Sequence, residues 1–231
     1  MAPEKLILWD IDGTLLYTGG VAGACMRAAM QQVYGRASAG ERHQYAGKTD
    51  RQIILETFAD RDEDELIGQL DLFTSTYLGE LHANRAAILE RGNVLAGVRD
   101  VLASLANQPV VQSALTGNLA PVARLKLELM ELSSFIDLDA GAYGSDHHDR
   151  KRLPEIAATR AAQRYGREFR GNDIVVIGDT PFDIACGRAF GTRTIAIATG
   201  PFSMDDLAAH NPDAVFASLT DTNAVMAAIL A

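Results

Sequence analysis

Leu6-Ile7-Leu8-Trp9 is an unbroken apolar run that stops abruptly on Asp10-Ile11-Asp12-Gly13. Runs this short suit strands of a parallel sheet covered on both faces. The pattern recurs at Val110-Val111, Ile174-Val175-Val176-Ile177, Thr194-Ile195-Ala196-Ile197 and Ala214-Val215-Phe216. Between these runs lie helical stretches from Val98 to Leu105, Val122 to Leu132, Leu153 to Tyr165, Phe182 to Phe190 and Thr222 to Leu230. The alternation predicts an α/β fold, a doubly wound parallel sheet with helices on both faces.

Residues 17–89 break the alternation and read as helices without strands. Thr49-Asp50-Arg51-Gln52 has capping-box spacing, and Asp62 with Glu65 starts the next helix in the same way. The expected organisation is therefore a core of residues 1–16 and 90–231 with a helical cap at 17–89. Gly19-Gly20 before the insertion and Gly92 to Gly97 after it offer flexible connections.

Composition narrows the class of protein. With 48% hydrophobic and 22% charged residues, the 231-residue chain can bury a substantial core. No apolar run reaches the roughly 18 to 20 residues of a membrane-spanning helix, and no secretion signal is evident, so a cytoplasmic protein without membrane contact is expected. Cys25 and Cys186, without CxxC spacing, read as packed thiols in a reducing compartment. A net charge of −9 argues against a nucleic-acid partner.

The chemistry-bearing residues sit where strands end. Asp10 and Asp12 share a face of the first strand and leave the sheet where open α/β sheets bind ligands, and Gly13 permits close backbone approach. Thr116-Gly117-Asn118 closes another apolar run just before a helix with Pro121 near its start. It offers a hydroxyl, an open backbone amide and a carboxamide to phosphate oxygens. Asp149-Arg150-Lys151-Arg152 precedes the helix at Leu153, so one basic side chain can point inward. Ile177-Gly178-Asp179-Thr180-Pro181-Phe182-Asp183 adds two carboxylates after a strongly β-like run. Several carboxylates on one sheet edge repel one another without a cation, and all-oxygen donors favour a hard ion such as Mg2+.

In this order, Asp10-x-Asp12-Gly13-Thr14, Thr116-Gly117-Asn118, a basic residue before a helix and Gly178-Asp179-x-x-x-Asp183 resemble the haloacid dehalogenase superfamily. The resemblance implies a Mg2+-dependent phosphatase in which Asp10 attacks phosphorus and Asp12 protonates the leaving oxygen, then activates water. It implies metal ligation by Asp10, the Asp12 backbone carbonyl and Asp179, with Asp183 either an outer ligand or a residue supporting the ligands from behind, and phosphoryl binding by Thr116, Gly117 and Asn118. Members that cleave carbon–halogen bonds lack the second aspartate, so Asp12 favours phosphoryl transfer. The basic motif departs from the family's usual lysine followed by proline; Arg150 ranks above Lys151, and Arg152 third. The insertion resembles the family's mobile cap.

Other signals are weaker. Gly47-Lys48-Thr49 looks like the end of a P-loop, but its first glycine would fall at Arg42 and no strand precedes it. Lys48 is instead a candidate to reach substrate from the cap. His147-His148 reads as a solvated pair, because consecutive side chains rarely converge on one ion. Trp9 is expected to point into the core. The expected substrate is a small phosphate monoester, with a phosphoglycolate phosphatase-like activity nearest. A phosphosugar mutase, or a non-catalytic binding protein on the same fold, is the alternative, and oligomeric state stays open.

Overall fold

The computed structural model describes residues 3–37 and 45–231. Its main sheet has six parallel strands: β1 (Lys5–Trp9), β4 (Val110–Thr116), β5 (Ala142–Tyr143), β6 (Ile174–Gly178), β7 (Arg193–Ile197) and β8 (Ala214–Phe216). They lie in the order β5-β4-β1-β6-β7-β8, so the chain winds outward in both directions from β1. That makes β1 the switch point, and its C-terminal end opens onto the crevice where such sheets bind ligands.

The apolar run of β1 explains this central place. Ile7 and Trp9 join one hydrophobic core, whereas Leu6 and Leu8 join a second on the opposite face. Helices α6 (Val98–Leu105), α7 (Ala120–Leu129) and α11 (Thr222–Leu230) cover the first face. Helices α8 (Leu153–Tyr165) and α9 (Pro181–Phe190) cover the second. Trp9 is fully buried, as expected, and its indole N–H has no partner among the described residues. Register carries the order to the site: Trp9 pairs with Ala114 of β4 and Ile177 of β6, so Asp10 emerges beside Leu115 and Gly178.

Between β2 (Leu16–Tyr17) and β3 (Asn93–Val94) the described chain is helical: α1 (Val21–Tyr34), α2 (Asp50–Thr57), α3 (Glu63–Gly68), α4 (Leu70–Ala83) and α5 (Arg85–Arg91). The Thr49 hydroxyl accepts from the Gln52 amide and the Asp62 carboxylate from the Glu65 amide, as the capping patterns predicted. Tyr34, Phe58, Phe73 and Tyr77 form the aromatic centre of this bundle, with successive ring centroids 5.0 to 5.8 Å apart. β2 and β3 pair antiparallel into a two-residue ribbon at the neck of the insertion.

Some elements differ from expectation. α7 starts at Ala120, with Pro121 in its first turn, and ends at Leu129, because Glu131 adopts a left-handed φ of 55° that stops the helix short of Leu132. The two-residue strands β2, β3 and β5, and the short helix α10 (Met204–Ala208), carry too few residues to show a period. Among the described residues no helix is long and apolar enough to cross a membrane.

The double-sided burial of β1 has a measurable consequence. Leu8→Ala is expected to lower the unfolding free energy by about 3 kcal/mol in urea titrations. Leu72→Ala, at a position 57% exposed, should cost less than about 0.5 kcal/mol.

Candidate active site

The C-terminal ends of β1, β4 and β6 bring Asp10, Thr116 and Asp179 to one edge of the sheet. After Asp10 the chain folds back on itself, with Leu15 and Leu16 amides donating to the Ile11 carbonyl. Gly13 makes this possible: its φ is +93°, and a Cβ there would lie 2.4 Å from Asp179 Oδ2. The Thr14 hydroxyl donates to Asp179 Oδ1 at 3.0 Å, which ties the β1 turn to the β6 end.

Arg150 enters from the short 3-10 turn Arg150–Arg152, capped by the Asp149 side chain. Its guanidinium donates to Asp10 Oδ1 at 2.7 Å, to Asp183 Oδ1 at 2.5 Å and to the Leu115 carbonyl at 3.2 Å. Asp183 is held in turn by the Thr180 amide and hydroxyl through the capping box of α9. On the other side of the site, Asn118 Nδ2 donates to Asp12 Oδ2 at 2.7 Å and to Thr116 Oγ1 at 2.9 Å. Lys126 Nζ lies 2.6 Å from the same Asp12 oxygen and also donates to Asn118 Oδ1.

The helical insertion is fastened to this edge. The Asp50 amide donates to the Gly117 carbonyl at 2.7 Å, and the Leu119 amide donates to Asp50 Oδ2 at 2.9 Å. A Cβ on Gly117 would come within 2.1 Å of the Lys48 carbonyl oxygen, so glycine is needed for the approach. The Thr49 hydroxyl donates to the His148 carbonyl, and Arg150 to the Gly47 carbonyl. The result is a cavity of about 440 Å³ with Asp10, Asp12, Asn118 and Arg150 on its core side. Ala22, Met26, Met30, Ile53 and Tyr77 of the insertion form the facing wall.

All the charged side chains buried among the described residues gather here: Asp10, Asp50, Lys126, Arg150, Asp179 and Asp183. Four carboxylates thus face two cations. Burial and the neighbouring Asp183 push the Asp10 carboxyl up to about 7 although Arg150 opposes them. Burial, then Asp10 and Asp183, raises Asp179 well above the usual carboxylate range. Asp10, Asp179 and Asp183 each present an oxygen within 4.8 Å of the others. This donor set is compatible with a divalent cation, whose charge would relieve that repulsion.

The model of the haloacid dehalogenase-like hydrolases matches residues 7–197, a span holding every group described above. The chain belongs to that family. Among similar proteins are a pyrophosphatase, PpaX, of Bacillus pumilus, 25% identical over 96% of each chain, and a phosphoglycolate phosphatase of Photorhabdus laumondii, 24% identical over 94% of this chain and 90% of its own. A solved hydrolase from Pseudomonas syringae superposes with a TM-score of 0.72 at 17% identity, covering 97% of this chain and 98% of its own.

Of the residues singled out in the sequence, the hydrolase brings together Asp10, Asp12, Gly13, Thr116, Gly117, Asn118, Arg150, Asp179 and Asp183. Lys151 is not among them. Successive residues of a 3-10 turn point about 120° apart, so with Arg150 facing inward Lys151 is left exposed. Arg152 is exposed too, 4.0 Å from Glu155. Lys48 lines the cavity but pairs with Glu56 at 2.6 Å. His147 and His148 stack on each other, and His147 Nδ1 accepts from the Asp149 amide. Lys126 and Asp50 were missed. The available signal was a lysine between Leu125 and Leu127, both of which face the core.

Asp50 makes the electrostatics testable. Burial raises its carboxyl from 3.8 to about 6 against the pull of Lys126. Folding then takes up a proton between these values, so this group's contribution to stability falls as pH rises from about 4 to about 6. Asp50→Asn keeps an acceptor for the Leu119 amide and removes the titration. In EDTA, wild-type stability relative to Asp50→Asn should fall by roughly 2–3 kcal/mol between pH 4 and pH 7. A constant difference would show that Asp50 titrates alike in both states.

Proposed function

We propose that this hydrolase is a Mg2+-dependent phosphatase that cleaves a small phosphate monoester through an aspartyl-phosphate on Asp10. The observation that carries the reading is that five of the six charged side chains buried among the described residues, Asp10, Asp50, Lys126, Arg150 and Asp179, line one cavity, with the carboxylates of Asp10 and Asp12 on its core side. The Asp10 Oδ1 atom is held by Arg150, which leaves Oδ2 without a hydrogen bond among the described residues and available as a nucleophile. Asp12 is 37% exposed and opens into the same cavity.

In the first step Asp10 attacks phosphorus, the ester P–O bond breaks, and Asp12 gives its proton to the departing oxygen. In the second, Asp12 takes a proton from water, the hydroxide attacks phosphorus, and Asp10 leaves as a carboxylate. Thr116, the Gly117 amide and Asn118 hold the phosphoryl oxygens, and Arg150 offsets their charge while orienting Asp10. Asp10, the Asp12 backbone carbonyl and Asp179 would hold Mg2+, with Asp183 acting through Arg150 and the α9 cap. When bound, the ion neutralises charge developing on the transferring phosphoryl group.

Residues 17–89 act as the cap, which contributes the apolar wall and Lys48 and shields the site from bulk solvent while the one attacking water is admitted. The relatives' names place pyrophosphate and phosphoglycolate among the substrates to try.

Release of inorganic phosphate from a panel of these and of sugar phosphates is expected with Mg2+ and not with EDTA. Equal release in both conditions would remove the metal from the reading. Asp10→Asn should abolish turnover without unfolding the protein, and near-normal turnover would exclude Asp10 as the nucleophile. Asp12→Asn is expected to lower kcat/KM for alkyl phosphates by roughly 10²- to 10⁴-fold.

A further inference from the structure

Arg150 accounts for the nucleophile Asp10 and for Asp183, and no hydrogen bond or ion pair joins it to Asp12. The cation that does meet Asp12 is Lys126, on α7, eight positions after Asn118 in the sequence. Its side chain is 5% exposed, whereas that of Asp12 is 37% exposed. Both side chains line the cavity, and the carboxylate is the more open of the two.

The surrounding bonds form a closed triangle. Lys126 Nζ donates to Asp12 Oδ2 and to Asn118 Oδ1, and Asn118 Nδ2 donates back to the same Asp12 oxygen. Two donors therefore converge on Asp12 Oδ2, and no hydrogen bond ties Oδ1 to a side chain of the described residues. Burying an ammonium between Leu125 and Leu127 is costly, and an apolar residue would pack that helix face more simply. The arrangement makes sense if the charge acts on Asp12.

We propose that Lys126 is a positioning residue for Asp12: it turns the free carboxyl oxygen toward the leaving group and stabilises the carboxylate left after proton donation. The proposal rests on the acid/base reading of Asp12 given above. In the step concerned, the ester P–O bond breaks, the Asp12 proton passes to the departing oxygen, and the resulting Asp12 anion remains beside the Lys126 ammonium. Such an effect is confined to esters whose leaving oxygen needs that proton. An alkyl phosphate does, whereas a nitrophenyl phosphate departs as a stable phenolate without it.

The test compares kcat/KM for these two esters in the full chain with Mg2+, since kcat/KM reports the steps up to formation of the phospho-enzyme. Lys126→Met is expected to lower kcat/KM for the alkyl ester by roughly 100-fold and for the nitrophenyl ester by no more than about 5-fold. Lys126→Gln, which keeps a donor to Asn118 but loses the charge, should show the same selectivity and serves if the Met variant does not fold. In an Asp12→Asn background, Lys126→Met should add little, as expected of groups acting through one another. Equal losses on both esters would assign Lys126 a purely structural role and overturn the proposal, as would no loss on either. If the wild-type enzyme turns over neither ester, the phosphatase reading fails first, and the role of Lys126 falls with it.

Discussion

Burying a charge is among the costliest things a fold can do, and this chain concentrates that cost at one place. Four carboxylates and two cations lie out of solvent at the ends of β1, β4 and β6 and the cap segment that meets them, and no other charged side chain of the described residues is buried. An isolated carboxylate in such surroundings would simply take up a proton. Here Arg150 bridges Asp10 and Asp183 in a geometry that two capping bonds from Thr180 help to fix. Among the described residues Asp179 has only a hydroxyl, that of Thr14, as a side-chain hydrogen-bond partner. The imbalance is the strongest physical argument that the site is built for ions that arrive from outside the polypeptide.

The same edge also controls how the helical insertion meets the core. Residues 47–50 reach the loops carrying Gly117, Leu119, His148 and Arg150 through backbone and short side-chain bonds. Beside these local, polar contacts runs an apolar one: the aromatic centre of Tyr34, Phe58, Phe73 and Tyr77 is continuous with the hydrophobic core on the Ile7 and Trp9 face of the sheet. The apolar wall is thus carried by the insertion and Asp10, Asp12 and Asp179 by the ends of strands, across one shared core.

Much of this was legible in the sequence because the core strands are continuous apolar runs that end on unusual residues. Asp10, Asp12, Thr116, Asn118, Asp179 and Asp183 are legible because each lies within a few residues of a strand end. Arg150 could be ranked first of three neighbours but only narrowly, since the choice depends on the phase of a single 3-10 turn. Lys126 was missed for a different reason. Its core-facing neighbours Leu125 and Leu127 are the one local hint, and they do not separate a lysine that snorkels to solvent from one that reaches inward; the packing of α7 beside the Asp12 turn decides it. Asp50 was readable as the first residue of a helix, but its bond to the Leu119 amide joins positions 69 apart.

This division between what is local and what is not bears on substrate choice. The groups proposed for phosphoryl transfer sit at and just after the ends of the central strands and are tied to one another, so relatives can share them while acting on different compounds. The facing wall of Ala22, Met26, Met30, Ile53 and Tyr77 comes from the insertion, where side chains change without disturbing the carboxylate cluster. That a pyrophosphatase and a phosphoglycolate phosphatase match this chain almost equally well follows naturally. Overall similarity reports the core, and on the proposed reading the choice of ester would fall to the few residues of that wall.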